Sequence, residues 1–454
     1  MAMNPSLESA RNAPWQERLG RGDTASNDYG KSNGFEDCWR DPTDTYDIPV
    51  TQVDSAGNIL LGRAEFNPVR QPIPMYVAVN GQLANNQAQT IFIAPANMDL
   101  TDVLEIHATA GSDGGAVTIT LTRETDGMAP GTGTPMLSAS INLKATNETF
   151  QAATLAGNYI RRPGGVRGGQ ISLKAGDHLS IAITGTVTSL AGLCLTAYAM
   201  PGYKYPFASF TALAATGVIS TPFFIANAPR SIASVWAVWS APASGAGTIT
   251  VDITKDSNTN APGAGVSILN AAINVNNTAG ANAVVSPALT ATASRLSLDP
   301  STNDRLSIKA TGTMTGITGL CIVVFFNPTF TTDFDVSLVL PLNAAFTSQQ
   351  FLIASRPMEV VDAQCIFGTA AGAAANLLLE RLTGTTAPGS GVGMQSDNAN
   401  AGFNLNATAN TMQEATLLGR KARVLARGDR LSAKVSGTVT SSALGCVTVT
   451  FAPR

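Results

Sequence analysis

Charge is scarce in this chain. Asp, Glu, Lys and Arg make up 13% of its 454 residues, where a soluble domain ordinarily carries about a quarter. Thr, Ala, Asn, Ser and Gly fill the gap, a mixture suited to β-sheets with uncharged faces and many turns. A surface so thin in charge is poorly protected against association, which predicts that partners cover much of it. The net charge is −3. No basic face of the kind nucleic acid requires is evident, so nucleic acid is disfavoured as a partner.

Reactive side chains are equally few. There are two histidines, His107 and His178, and five cysteines, Cys38, Cys194, Cys321, Cys365 and Cys446. No two cysteines form a C-x-x-C, which argues against a disulfide framework and against a zinc site. No G-x-S-x-G, Walker loop or H-E-x-x-H occurs, and no carboxylate pair stands out for glycosidase chemistry. The chain is expected not to be an enzyme and to need neither cofactor nor metal. No apolar run approaches the roughly 18 residues of a membrane span. The opening Met1-Ala-Met-Asn-Pro-Ser-Leu-Glu8 lacks the basic-then-apolar plan of a signal peptide. The expected place of synthesis is therefore a cytoplasm, and no membrane partner is expected.

What the sequence does have is an internal repeat. Phe92-Ile93-Ala94 returns as Phe224-Ile225-Ala226 and Leu352-Ile353-Ala354. Ala129-Pro130-Gly131 returns as Ala261-Pro262-Gly263 and Ala387-Pro388-Gly389. Asp177-His178-Leu179-Ser180 returns as Asp304-Arg305-Leu306-Ser307 and Asp429-Arg430-Leu431-Ser432, each followed by a G-T-[VM]-T run. From this Asp to a cysteine in the closing strand is 17 positions in all three copies: Asp177 to Cys194, Asp304 to Cys321, Asp429 to Cys446. The periods are 127 and 125 residues. The copies are placed at 74–201, 206–328 and 333–453, with joints too short for free swinging.

Alternation makes the copies β. Val117-Thr-Ile-Thr-Leu-Thr-Arg123 and Ile249-Thr-Val-Asp-Ile-Thr-Lys255 alternate apolar and polar residues, placing one face on a core. Residues 370–382, rich in Ala and Leu, favour a helix by propensity. The repeat overrides this: Arg381 aligns with Arg123 and Lys255, and Ala375, Leu377 and Leu379 take the inward positions of Val117, Ile119 and Leu121. The fold class is all-β: three tandem β-sandwich domains, jelly-roll-like, behind an extended polar N-terminal arm over 1–73.

The arm differs in composition. The first 50 residues hold 5 basic and 9 acidic side chains, against 45 charged residues in the other 404. Trp15, Tyr29, Phe35, Trp39 and Tyr46 stand in this polar setting and are the candidate partner-binding anchors. The alternative is that they pack on the first copy. Arg21-Gly22-Asp23 is read as a flexible turn rather than an adhesion motif.

The recurring Asp177, Asp304 and Asp429 are read as turn caps, since no second acidic position recurs beside them to complete a calcium site. Cys194, Cys321 and Cys446 are read as small buried hydrophobes. His107 and His178 align with Trp236 and Arg305. The Gly/Arg insertion at 158–169 and the basic stretch Arg420, Lys421, Arg423, Arg427, Arg430 are read as solvated or ion-paired surface.

The G-D-x-L-S, G-T-V-T and cysteine-bearing closing strand resemble structural proteins of tailed-bacteriophage virions in style, over about 380 residues. The resemblance implies a non-catalytic virion protein, assembled in the host cytoplasm. A capsid cement or decoration protein, or a head fibre, fits best. Its partners would be the major capsid protein, other virion subunits or copies of itself. Three tight copies suggest a pseudo-trimer on a threefold position, with the arm docking on the shell. The alternative is a tail, baseplate or fibre module that binds host glycan or receptor.

Overall fold

The computed structural model describes residues 88–157, 171–200, 206–214, 220–327 apart from 246 and 277–279, 333–340, 348–439 and 443–453; further residues are described only as strand backbone. Those strands are β1 (Gln16–Leu19), β2 (Glu36–Arg40), β3 (Asp47–Val53), β4 (Ile59–Leu61) and β5 (Ile73–Val79). The first four pair in sequence order as an antiparallel sheet within a compact unit of its own. The segment expected as an extended arm therefore carries a sheet. Ile48 and Val50 alternate with Asp47, Pro49 and Thr51 along β3.

The second unit is all-β and holds the three copies. Each has six long strands. The first copy has β5, β6 (Ala88–Ile93), β7 (Met98–Ile106), β8 (Thr118–Glu124), β9 (His178–Thr184) and β10 (Leu193–Met200). The second has β11 (Phe207–Ala214), β12 (Ser220–Ile225), β13 (Arg230–Val238), β14 (Thr250–Asp256), β15 (Arg305–Thr311) and β16 (Thr318–Phe326). The third has β17 (Phe334–Leu340), β18 (Gln349–Ile353), β19 (Met358–Thr369), β20 (Ala375–Leu382), β21 (Arg430–Gly437) and β22 (Ala443–Pro453).

Pairing is the same in every copy. The closing strand lies between the first and third (β5–β10–β7, β11–β16–β13, β17–β22–β19), and the fifth between the second and fourth (β6–β9–β8, β12–β15–β14, β18–β21–β20). Two-residue ladders extend the third and fourth strands. Two bulges also recur. One leaves Ile91, Phe223 or Phe351 without a cross-strand partner, and the other does so for Thr101, Ala233 or Val361. Features kept three times are part of the fold's design.

Residues 375–382 form a strand with Ala375, Leu377 and Leu379 buried, as the repeat predicts. Buried residues of both sheets join one apolar core, such as Ile119, Leu121 and Ile181 with Val103, Leu195 and Ala197 in the first copy. Among the described residues no helix is long and apolar enough to cross a membrane.

Turn chemistry explains the motifs. Each recurring Asp caps its turn by accepting from a backbone N–H: Lys174 N to Asp177 Oδ2 at 2.8 Å, Asp299 N to Asp304 at 2.8 Å and Ala426 N to Asp429 at 2.9 Å. A second acid stands near the end of each fourth strand, in one register in two copies and two positions earlier in the third. Glu124, Asp256 and Glu380 end or nearly end the fourth strands and accept from Gly131 N (2.9 Å), Gly263 N (3.0 Å) and Gly389 N (2.5 Å). They hold the Ala-Pro-Gly turn rather than a cation. That glycine has φ of +81°, +80° or +92°, where a Cβ is strained. The glycine two positions on is fixed by close approach: a Cβ on Gly133 or Gly265 would lie 2.0 Å from a backbone oxygen.

Candidate interaction surfaces between the copies

The closing strands are buried on both faces, because each packs on its own copy and on a neighbour. On β10, Leu193, Leu195 and Ala197 face the first copy's own core, while Cys194 and Tyr198 join the core of the third. On β16, Leu320, Ile322 and Val324 stay in the second copy, while Cys321, Val323 and Phe325 join the core of the first. On β22, Val447, Val449 and Phe451 stay in the third copy, while Cys446 packs on Ile225 of the second. The three aligned cysteines are buried, as expected, but at the junctions between copies rather than within one. Burial pushes the thiols of Cys194 and Cys446 up to about 12, so neither supplies a nucleophile near neutrality.

What packs on each closing strand is the second strand of another copy: β6 on β16, β12 on β22, and β18 on β10. The series returns to the copy from which it began. Equivalent residues meet at each step. Ile225 N donates to Thr448 Oγ1 at 3.0 Å, and Ile353 N donates to Thr196 Oγ1 at 3.1 Å. The third equivalent position holds Val323, which has no hydroxyl.

Polar groups differentiate the junctions. Between the third and first copies, Arg430 is fully buried. Its Nη1 donates to Glu148 Oε2, and at 2.9 Å to Gln350 Oε1, while Nη2 donates to the carbonyls of Gly384 (2.8 Å) and Thr386 (2.9 Å). Arg427 Nη1 lies 2.7 Å from Asp102 Oδ2. Beneath Glu148, His107 Nδ1 is 2.8 Å from Glu105 Oε1 and its Nε2 is 3.1 Å from Ala145 O. Burial raises the Glu105 carboxyl. Burial acts to lower His107, but the hydrogen bond and charge of Glu105 outweigh it and raise the imidazole.

Between the second and third copies, Asp335 Oδ2 is 2.6 Å from Arg230 Nη2, and its other oxygen accepts from Asn227 and Thr450. Burial nonetheless raises its carboxyl. Between the first and second copies the contact is mainly apolar. The rings of Phe92, Phe207 and Phe325 cluster at 5.0–6.1 Å. Gly127 N donates to Asn282 O (3.0 Å) and Val284 N to Asp126 Oδ1 (2.8 Å).

Three aligned sites recur with different residues. Where the other copies bury Arg305 and Arg430, the first buries His178, whose two ring nitrogens have no hydrogen-bond partner among the described residues. Burial lowers its pKa. Glu148, Asn282 and Asn410 are equivalent left-handed residues, each donating its N–H to an equivalent carbonyl at the end of the third strand or just past it: His107, Trp239 and Phe367. His107 thus corresponds to Trp239, not to Trp236; strand register decides this, since Ile106 pairs with Cys194 as Val238 pairs with Cys321.

Of the predicted surface features, the basic stretch is largely ion-paired: Arg420 and Arg423 reach Glu359 at 3.2 and 2.9 Å, and Arg427 and Arg430 bind across a junction. Trp15, Tyr29, Phe35 and Tyr46 lie outside the described residues, as do Arg21–Asp23 and the whole 158–169 insertion. Trp39 falls on β2, with its side chain outside the description. Among the described residues no group of three or more His, Cys, Asp or Glu is placed to hold a metal ion.

No protein-family model matches this chain, and no curated protein matches it.

Proposed function

We propose that this chain is a non-catalytic structural protein of a virion, a capsid-associated cement or decoration protein. In this reading each copy is a jelly-roll sandwich. The strand orders three–six–one and two–five–four, with short ladders added beside the third and fourth strands, support that reading. The three copies form a pseudo-trimer, and the N-terminal segment docks on the shell.

The observation that carries the proposal is the closed series of equivalent junctions, β6 on β16, β12 on β22 and β18 on β10. A repeated head-to-tail contact makes a ring where the rotation closes and a filament where it does not. Closure after three steps gives one chain the symmetry of a trimer, which suits a threefold position on a capsid lattice. The low charge fits a surface meant to be covered.

The test is to image virions that contain the chain. Three-lobed density on threefold positions of the head is the expected result. Location on the tail, or a specific glycan retained by the purified chain, would replace this reading with a receptor-binding one.

A further inference from the structure

We infer that the junction between the third and first copies is a clasp that holds those copies together without a covalent tether. The inference rests on the ring reading above, but its test reads association between copies rather than docking on a particle.

Two of the three junctions join neighbours along the chain, separated by only the four residues 202–205 or 329–332. The third brings together copies with the whole second copy between them. Among the described residues, that junction is the one richest in specific polar contacts. Tyr198 Oη donates to Ile353 O at 2.7 Å and accepts from Ser355 N at 3.3 Å. Ile353 N donates to Thr196 Oγ1, and Gln350 Nε2 donates to Gly192 O at 3.1 Å. Two ion pairs cross it, Arg430–Glu148 and Arg427–Asp102. The junction between the first and second copies has no ion pair between described residues.

Arg430 has a buried counterpart in Arg305, but its acidic partner is particular to this seam. Glu148 is acidic where its equivalents are Asn282 and Asn410. The copies share a framework, so each receiving face is close in shape to the other two. A buried charge that finds its partner on one face alone penalises the wrong pairing, as buried polar pairs do when they fix register. Arg430 and Glu148 thus close the ring and specify which copies close it.

The experiment uses the full chain with a protease site placed within 202–205, cut after purification under native conditions. The first copy is then held by its apolar junction with the second and by the clasp. The expected result is that the nicked chain elutes as one particle and separates only in denaturant. Arg430→Met should weaken retention of the first copy about a hundredfold, and Arg427→Ala about fivefold. Asp126→Ala, which removes a bond across the apolar junction, should have a smaller effect than either. Circular dichroism of the uncut variants checks folding; should Arg430→Met misfold, Arg427→Ala decides. Separation of the nicked wild-type chain would overturn the inference. So would clasp variants that hold as tightly as wild type, or release by Asp126→Ala as readily as by the clasp substitutions.

Discussion

The hydroxyl of Tyr198, on the closing strand of the first copy, donates a 2.7 Å hydrogen bond to the carbonyl of Ile353, at the end of the second strand of the third copy. Both residues are buried. The second copy has Phe325 and the third Thr450 in the position of Tyr198, so a ring that carries a hydroxyl is particular to this junction. Tyr198→Phe should keep the packing and leave Ile353 O and Ser355 N without this partner. The expected loss is about 1–3 kcal/mol in denaturant unfolding. An unchanged midpoint at unchanged slope would show that this bond contributes no net stability.

The Glu105–His107 pair predicts a pH dependence. Both groups are raised in the folded protein, so the folded state binds more protons than the unfolded state between their ordinary and raised values. For His107, the stabilisation is present in full below about 6.5, the ordinary imidazole value, and is lost as pH rises through its raised folded value. Stability measured across neutral pH should therefore fall on the alkaline side. Replacing His107 alone with Phe, the residue at this position in the third copy, strands a buried carboxylate and should cost about 3–5 kcal/mol. The double change Glu105→Ala with His107→Phe should cost less and flatten the pH profile. A profile unaltered by the double change would place the titration elsewhere.

The acid that holds each Ala-Pro-Gly turn is a stability element. Asp256 Oδ2 accepts from Gly263 N at 3.0 Å and its Oδ1 from Gly265 N at 2.7 Å, with the carboxylate buried. Asp256→Ala should destabilise by about 1–3 kcal/mol, the cost of leaving buried donors unpaired. Gly265→Ala should also destabilise, through a clash with the Lys255 carbonyl rather than through any lost bond. Calorimetry of both variants checks this; wild-type melting of Gly265→Ala would mean that the turn relaxes freely.

The buried thiols should be silent. Cys194, Cys321, Cys365 and Cys446 are all fully buried and free. A thiol reagent should label none of these four in the native protein and all four after unfolding, with mass spectrometry locating each adduct. Rapid native labelling of Cys321 or Cys446 would mean that its junction opens.

Much of the framework was legible because it recurs. Three copies of one spacing placed β9, β15 and β21 and their closing strands, and made a strand of residues 375–382 against their helical propensity. The turn role of Asp177, Asp304 and Asp429 followed from the glycine before two of them and the strands on either side. The holding acids Glu124, Asp256 and Glu380 were also visible in principle, since each follows or precedes the aligned base Arg123, Lys255 or Arg381 by one position. They were missed because their distance to the proline changes from six to eight. The junctions were not legible. Cys194 and Leu195 read alike as apolar residues of a strand, and nothing in the order of residues says that one faces its own copy and the other a neighbour. The pair Arg430–Glu148 is separated by 282 positions, beyond any local pattern, and the pairing of His107 with Trp239 needed strand register.

The closing strands have one more consequence. A strand with its own core on one face and a neighbour on the other cannot leave its sheet without exposing both. Melting one copy therefore strips cover from the next. The three-copy unit should lose its structure in a single concerted step, as one thermodynamic body rather than as three beads on a string.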